Sequence, residues 1–254
     1  DLVVAETTCD GKKKMYELLA ESRPMHVLEL PQKPDQEQAF VHWLSELERL
    51  RGVLEERFQI QVTDEGLRRA SGVMNRERRS RRELAALMSS PRPGLTGRAL
   101  LDLKSIVSCI PGDLEQYDRI LAWLRDREPD PEVAERTRVL LTGVPLAHGA
   151  ERVLDIIEQS GGLVVAQENC TGLKPILEDV DESATDPLRA LAEKYFHLPC
   201  SVMTENNRRL DLLADLVEEY RPQCIVDLVW QACLTYDVES HRVRRLAEEK
   251  GLPY

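Results

Sequence analysis

The sequence lacks the short motifs that identify many metal and nucleotide enzymes. It contains no C-x-x-C, so ferredoxin, thioredoxin and zinc-ribbon sites have no local signature. It contains no H-E-x-x-H, its five histidines never approach metal-binding spacing with one another, and no G-x-x-x-x-G-K-[ST] phosphate loop is present. Any metal site must therefore be assembled from residues that are distant in the sequence.

Positive charge, aromatic side chains and long apolar runs are also scarce. The chain has 34 Lys+Arg against 45 Asp+Glu, a net charge of −11, and 5% aromatic residues. Such a chain repels phosphate backbones and offers few stacking platforms, so we expect no nucleic-acid partner. No run approaches the roughly 20 apolar residues of a membrane helix, and no signal-peptide pattern is present. We expect no membrane partner and a cytoplasmic location.

Two segments share the pattern V-V-A-x-x-x-C-x-G-x-K, in register and without a gap. The first runs from Val3 to Lys13 and the second from Val164 to Lys174. Each begins as a short apolar strand and stops at a cysteine. A repeat with this many fixed positions is improbable by chance. It indicates two related α/β halves, each holding a thiol at the carboxyl end of a buried strand.

The position of these cysteines has a chemical rationale. Open parallel sheets bind ligands beyond the carboxyl ends of their strands. A helix that follows points its N–H groups at the same crevice and lowers the pKa of a thiol there. Lys12, Lys13 and Lys14 would add positive potential near Cys9, and thiolate is the form that binds a soft metal. One cysteine in such a turn is more often a packed small hydrophobe, but the repeat favours a ligand role.

The alternation of strands and helices predicts an α/β fold with two Rossmann-like domains, in which mainly parallel sheets are flanked by helices. The charged segment Arg127–Pro131, interrupted by two prolines, is the one convincing linker. We expect a first domain over residues 1–130 and a second over residues 131–254. Both are expected to continue beyond the given chain, one before Asp1 and one after Tyr254.

The six cysteines divide by position. Cys9, Cys170 and Cys233 follow the ends of predicted strands, and Cys200 lies in a loop that could reach them. We predict that these four cysteines are the ligands of a metal or cofactor. The remaining two, which we expect to pack in the core, are Cys109 and Cys224.

Other polar residues are weaker candidates. Glu6, Asp10 and Glu168 lie beside the candidate thiols and could position substrate or move protons, although capping a helix explains Asp10 equally well. Ser201 could contact substrate, with a turn role as the alternative. A basic cluster on a predicted helix is expected to be a solvated face, the alternative being a dock for an acidic partner or for phosphates such as those of coenzyme A. Its members are Arg76, Arg78, Arg79, Arg81 and Arg82.

Six segments, in order along the chain, carry a further pattern: Glu6–Tyr16, Leu141–Pro145, Glu168–Gly172, Pro199–Ser201, Asn207–Leu210 and Trp230–Cys233. Together they resemble the family that unites 2-hydroxyacyl-CoA dehydratase subunits, benzoyl-CoA reductase subunits and double-cubane cluster proteins. The resemblance spans essentially the whole chain. It implies an iron–sulfur cluster between two α/β domains, held by cysteines that are distant in sequence.

The resemblance also implies roles for the four thiols. Cys9 and Cys233 match ligand positions shared across the family, and a further ligand is expected upstream of the given chain. Cys170 and Cys200 fall in motifs similar to those of the double-cubane branch, where extra cysteines hold a second cubane. Two departures from the family pattern are Leu234, where a histidine often follows the ligand cysteine, and Val202, which replaces a second cysteine.

Three functions are therefore open. The first is a double-cubane reductase with an [8Fe-9S] cluster, which delivers low-potential electrons to a small molecule after ATP-dependent reduction by a separate iron–sulfur activator. The second is a subunit of a 2-hydroxyacyl-CoA dehydratase, a lyase with one [4Fe-4S] cluster and an acyl-CoA substrate. Both are typical of anaerobic metabolism and imply a homodimer or a heterodimer with a related subunit. The third is a metal-free or zinc-bearing α/β scaffold.

Overall fold

The structure, a computed structural model, describes residues 1–104, 110–125, 130–147 and 149–254. It groups into two compact units that each combine two segments. Unit 1 comprises Asp1–Gly72 and Val180–Asn206, and unit 2 comprises Val73–Asp179 and Asn207–Tyr254. The predicted domains, 1–130 and 131–254, follow a different boundary and stay a prediction. Cys109 and residues 127–129 of the predicted linker lie outside the described residues.

Strands and helices alternate along the described chain. The strands are β1 (Val3–Glu6), β2 (Met25–Leu28), β3 (Thr137–Gly143), β4 (Gly162–Gln167) and β5 (Cys224–Leu228). The helices are α1 (Asp10–Ala20), α2 (Glu37–Phe58), α3 (Asp64–Ala86), α4 (Gly97–Asp102), α5 (Pro111–Arg125), α6 (Pro131–Ala134), α7 (Glu151–Gln159), α8 (Pro187–Phe196), α9 (Asn207–Tyr220) and α10 (Leu234–Glu249). Short 3-10 helices cover Leu87–Ser89 and Lys174–Ile176.

Unit 1 contains a two-stranded parallel sheet. β1 pairs with β2, and α1 connects them, which is the crossover that parallel pairing requires. Leu28 at the end of β2 packs with Trp43 of α2 and with Ala192 and Phe196 of α8. The Trp43 indole N–H donates a hydrogen bond to the Ala192 carbonyl, so this buried polar group is satisfied. The core of unit 1 therefore joins its two chain segments.

Unit 2 contains a three-stranded parallel sheet in the order β4–β3–β5. Every residue of β4 is buried, as expected for a parallel strand covered on both faces. Gly162 opens β4, where an added Cβ would lie 2.7 Å from a methyl group of Ile157 in α7. Helix α7 can therefore pack directly on the sheet.

The three strands of unit 2 end at one edge of the sheet. The register aligns Leu141 with Gln167 across β3 and β4, and Gly143 with Leu228 across β3 and β5. Gly143 has a φ of 104°, and a Cβ there would lie 2.1 Å from the Leu228 carbonyl oxygen. Only glycine permits this turn at such close backbone approach. The carboxyl edge of the sheet is thus fixed by strand register and by this turn.

The structure confirms the predicted α/β class with parallel sheets flanked by helices. Helix α2 begins at Glu37, with Gln36 at its N-cap and without a side-chain capping bond. The capping role considered for Asp10 was wrong. Asp10 does not cap α1, because it is the first helical residue and pairs instead with Lys13 at 2.7 Å. Among the described residues, no helix is long and apolar enough to cross a membrane.

Candidate functional site

Cys9 lies between β1 and α1, at the N-cap of the helix. Its backbone is extended, with φ −154° and ψ 165°, and its side chain makes no capping hydrogen bond. Its carbonyl accepts a hydrogen bond from the Lys13 amide at 3.1 Å. The half-buried thiol therefore lies beside the positive end of a helix without serving as its cap.

The lysines that follow Cys9 are engaged with carboxylates. Lys12 Nζ lies 3.0 Å from Glu6 Oε1, and Lys13 pairs with Asp10. Burial lowers the pKa of Lys12, but Glu6 and the Cys9 thiolate raise it more, so the net shift is upward. The pKa of Lys13 is raised mainly by its hydrogen bond to Asp10, with a smaller contribution from Cys9. Both lysines therefore stay charged beside Cys9.

Cys233 occupies the equivalent place in unit 2. It follows β5, stands at the N-cap of α10 and makes no side-chain capping bond. Its amide donates to the Trp230 carbonyl, and its own carbonyl accepts from the Asp237 amide, both at 3.0 Å. The backbone at Cys233 is therefore held on both sides while the half-buried thiol makes no capping bond.

Cys170 follows β4, as predicted, but no α-helix follows it directly. Asn169 Oδ1 accepts hydrogen bonds from the Thr171 and Gly172 amides, both at 3.0 Å, and from the Thr171 hydroxyl at 2.6 Å. These bonds form a tight turn that takes the place of a first helical turn. The prediction of a helix amino terminus at the second copy of the motif was wrong for this reason. The thiol of Cys170 is exposed.

Two lysines of unit 2 interact electrostatically with Cys170. The pKa of Lys104 is lowered mainly by burial and then by Arg81, and the Cys170 thiolate opposes that shift. Burial also opposes the charge on Lys174, but Glu168 outweighs it, and Tyr236 and Cys170 contribute in the same direction, so the pKa of Lys174 is raised. Two lysine side chains therefore lie within electrostatic range of the Cys170 thiol.

Cys200 lies in the loop after α8, in unit 1. Its amide donates to the Leu198 carbonyl at 2.7 Å, and its carbonyl accepts from the Met203 amide at 3.0 Å and from Asn206 Nδ2 at 2.9 Å. Ser201 is buried in the same turn, which agrees with the turn role considered for it. The loop fixes the Cys200 backbone and leaves the thiol half-buried.

Each unit carries two of the predicted ligands. Cys9 and Cys200 belong to unit 1, and Cys170 and Cys233 belong to unit 2. None of the four is in a disulfide. Over the described ranges, no three or more His, Cys, Asp or Glu side chains form a group that could hold a metal ion. The assignment of these four cysteines as metal ligands stays a prediction. Cys224 begins β5, and burial raises the pKa of its thiol, in keeping with a packing role.

A buried ionic cluster, which no local sequence pattern predicts, lies at the carboxyl edge of the unit 2 sheet. We define the buried cluster as Thr142, Glu168, Lys174, Arg209, Tyr236 and Glu239. Glu168 and Arg209 are 0% exposed, and Lys174 is 2% exposed. Burying charges at this depth is costly unless each has a close counter-charge.

Glu168 is the central anion of the buried cluster. Its Oε1 lies 2.8 Å from Lys174 Nζ and 3.4 Å from Arg209 Nε, contacts that are ion pairs rather than aligned hydrogen bonds. The Thr142 hydroxyl donates to Glu168 Oε2 at 2.6 Å. One carboxylate therefore contacts two buried cations and links the ends of β3 and β4.

Arg209 and Lys174 extend the cluster to α10. Arg209 Nη1 lies 3.2 Å from Glu239 Oε2, and Arg209 Nη2 donates to Thr142 Oγ1 at 3.1 Å. The guanidinium lies 4.9 Å from the centre of the Tyr236 ring, and Lys174 Nζ donates to the Tyr236 hydroxyl at 3.3 Å. The buried cluster thus contains two cations and two carboxylates.

Asp227 lies on β5 opposite Thr142, next to the buried cluster. Burial raises the pKa of its carboxyl group, while Arg209 and the hydrogen bond from Tyr254 lower it less strongly. The Tyr254 hydroxyl donates to Asp227 Oδ2 at 3.1 Å, and Oδ1 is buried without a hydrogen-bond partner among the described residues. The environment of Asp227 favours its protonated form relative to an exposed aspartate.

The arginines of the α3 cluster form ion pairs and hydrogen bonds with other residues of unit 2. Arg76 pairs with Asp118, and Arg79 and Arg82 pair with Asp179. Arg82 also donates to the Ile176 carbonyl at 2.6 Å. The buried Arg78 donates to Asn75, and Arg81 contacts the Thr171 and Gly172 carbonyls. The contacts of Arg81 and Arg82 hold the chain after Cys170 against α3. Arg76 and Arg79 are exposed, as expected of a solvated face, whereas Arg78 is buried and the other two are half-buried. The phosphate dock stays untested.

Comparisons with known proteins agree on one group. Residues 1–254 match the family described as 2-hydroxyglutaryl-CoA dehydratase, D-component. The chain is also 38% identical over 266 aligned residues to YjiM of Escherichia coli (strain K12), which is named as a proposed dehydratase subunit. That alignment covers 100% of this chain and 67% of YjiM.

Proposed function

The chain belongs to the 2-hydroxyglutaryl-CoA dehydratase D-component family. We propose that it is an enzyme subunit that holds an iron–sulfur cluster on cysteine thiolates. In this proposal it takes part in the dehydration of a 2-hydroxyacyl-CoA. The observation that carries this proposal is the position of Cys9 and Cys233. Each follows a parallel strand and lies at the amino end of a helix, and neither side chain makes a capping hydrogen bond.

The chemistry of the donor set fits such a cluster. Iron–sulfur clusters are held by thiolates, and the four predicted ligands are thiols outside disulfides, none of them buried. Beside Cys170, the Nδ2 atom of Asn169 is buried and has no hydrogen-bond partner among the described residues. The side-chain N–H of Asn169 could donate a hydrogen bond to a cysteine or cluster sulfur. Such hydrogen bonds raise the reduction potential of an iron–sulfur cluster.

When bound, an iron–sulfur cluster supplies a low-potential electron to the thioester substrate. The chain's own contribution is electrostatic and positional. The amino ends of α1 and α10 contribute positive potential beside Cys9 and Cys233, and Lys104 and Lys174 add positive charge near Cys170. We further propose an ATP-hydrolysing activator and a related partner subunit, because the family name denotes one component of a larger enzyme. The cytoplasmic location stays a prediction from the sequence.

A second candidate is the double-cubane reductase, which needs Cys170 and Cys200 as additional ligands. The accessibility of these two thiols favours it, since neither sulfur is sequestered in the core. The two functions differ in the expected iron content, about four irons per subunit for a single cubane and about eight for a double cubane. A zinc-bearing or metal-free scaffold would contain no iron.

Metal analysis of the full-length protein, purified without oxygen, tests these alternatives. We expect about four irons and as many acid-labile sulfides per subunit, with a thiolate-to-iron absorption band. Cys9→Ala and Cys233→Ala should each lose most of the iron. Cys224→Ala is the matched control, because Cys224 packs against an apolar core cluster of unit 2.

The remaining cysteines decide between the two enzymes. In the dehydratase, Cys170→Ala and Cys200→Ala keep the iron, whereas in the double-cubane reductase each loses about half of it. A protein with no iron, or one in which Cys9→Ala and Cys233→Ala both retain it, would overturn the proposed function. Zinc found in place of iron would support the scaffold.

A further inference from the structure

The buried cluster brackets Cys170 along the chain. Glu168 lies two residues before Cys170 and Lys174 four residues after it, and their side chains form an ion pair at 2.8 Å. The loop that carries Cys170 is therefore closed at its base by a buried ion pair. The amides of Glu168 and Leu173 are hydrogen-bonded to the Leu141 and Gln167 carbonyls, at 2.9 and 2.8 Å.

The same cluster holds the start of α10, which carries Cys233. Tyr236 and Glu239 lie three and six residues after Cys233, within the first two turns of the helix. Lys174 contacts the Tyr236 hydroxyl, and Arg209 contacts Glu239 at 3.2 Å. One set of charges therefore reaches both cysteine-bearing segments.

Stability alone does not explain a cluster of this kind. Well-packed apolar residues of similar volume often stabilise a core as well as a buried ion pair does or better. What an ionic cluster adds is directional geometry, because its charges are satisfied in only one arrangement. Here that arrangement includes the loop of Cys170, the end of β3 and the start of α10.

We propose that Glu168, Lys174 and Arg209 are positioning residues that lock the Cys170 loop and the Cys233 helix start in one fixed arrangement. The functional reason for this fixed arrangement rests on the proposed function, in which Cys233 is a cluster ligand and Cys170 is a further ligand in the double-cubane alternative. The mechanical coupling itself rests on the contacts within unit 2.

Amide hydrogen exchange on the full-length protein tests the coupling in both directions. Lys174→Met acts on the Cys170 side, and its reporters are the amides of Cys233 and Asp237, which are hydrogen-bonded at the start of α10. Glu239→Gln acts on the Cys233 side, and its reporters are the amides of Glu168 and Leu173. Each substitution should speed exchange at the distant reporters by about tenfold or more, because it leaves a buried charge uncompensated.

Leu154→Ala is the matched control, since Leu154 is fully buried in α7 and packs outside the buried cluster. It should destabilise unit 2 without selectively speeding exchange at either reporter pair. If Lys174→Met does not fold, Tyr236→Phe removes only the hydroxyl that Lys174 contacts and should raise exchange at the Glu168 and Leu173 amides. Reporter exchange no faster than in Leu154→Ala, in whichever of these variants folds, overturns the proposal.

Iron content measured on the same samples separates this inference from the proposed function. Iron present without coupling overturns only the positioning role. Coupling present in a protein that never holds iron overturns the proposed function and leaves the lock itself standing.

Discussion

Glutamine at position 168 would remove the carboxylate that contacts both buried cations while keeping the side-chain volume. In Glu168→Gln, Lys174 and Arg209 keep their positive charges, and Glu239 is the carboxylate left in the buried cluster. Breaking a buried ion pair on one side costs about 3–5 kcal/mol. A domain is stable by only about 5–15 kcal/mol, so we expect a large loss of stability in unit 2.

The size of the ionic contribution can be isolated with a second substitution. Lys174→Met removes one of the two cations and keeps an unbranched stem of similar length. In the double variant Glu168→Gln/Lys174→Met, one cation faces one carboxylate, so charge parity returns. The double variant should be more stable than Glu168→Gln, and the coupling free energy should be about 1–3 kcal/mol. Urea unfolding followed by circular dichroism measures all four proteins.

An exposed ion pair provides the control for charge removal as such. Arg189 and Glu193 lie 3.1 Å apart on α8, and both side chains are more than half exposed. Glu193→Gln should cost at most about 1 kcal/mol, because solvent screens exposed pairs. If Glu168→Gln costs no more than Glu193→Gln, or if the two cluster substitutions are additive, the buried cluster is not an ionic unit and the positioning argument loses its basis.

Further predictions concern single positions in both units. Thr142→Val should cost about 1–3 kcal/mol in urea unfolding, because it removes a hydroxyl that donates to Glu168 and accepts from Arg209. Gly11→Ala should stabilise by about 0.5–1 kcal/mol, since Gly11 lies within α1 and an added Cβ meets nothing within 4 Å. Asp227→Asn should raise the urea midpoint more at pH 7.5 than at pH 4. Burial raises the pKa of Asp227 in the folded protein. The protonated carboxyl group therefore stabilises the fold fully at pH values below the pKa of Asp227 in the unfolded chain. This contribution is lost as the pH rises through the pKa of Asp227 in the folded protein. An advantage of Asp227→Asn that shrinks as pH rises would contradict this.

The parallel strands could be predicted because their pattern is local. Residues 162–166 form a continuous apolar run, and β4 is buried at every position. The placement of Cys9, Cys170 and Cys233 after strands followed from the same runs, and the structure confirms it. A shared metal site for these thiols stays a prediction, because it depends on contacts between distant segments that local sequence patterns do not encode.

The buried cluster could not be predicted, since each of its members has a more common role at the surface. Lysine, arginine and glutamate are almost never fully buried unless paired, and the partners of Lys174 lie at positions 168 and 236. The sequence offered one weak indication of the buried cluster: Glu168 and Arg209 both lie in segments that carry the family resemblance. The ion pairs of the α3 arginines could not be predicted for the same reason. Asp179, the acidic partner of Arg79 and Arg82, is distant from them in the sequence.

The two copies of V-V-A-x-x-x-C-x-G-x-K show which residues decide the local fold. After Cys9 the chain enters α1 at once, whereas after Cys170 it turns, because Asn169 accepts hydrogen bonds from the next two amides. Thr8 occupies that place in the first copy, and a threonine hydroxyl forms such turns more weakly. The shared positions therefore place a thiol after a strand, and the variable positions select helix or turn. By this argument Asn169→Thr should loosen the turn at Cys170, which faster exchange of the Thr171 and Gly172 amides would reveal, whereas unchanged exchange would contradict it.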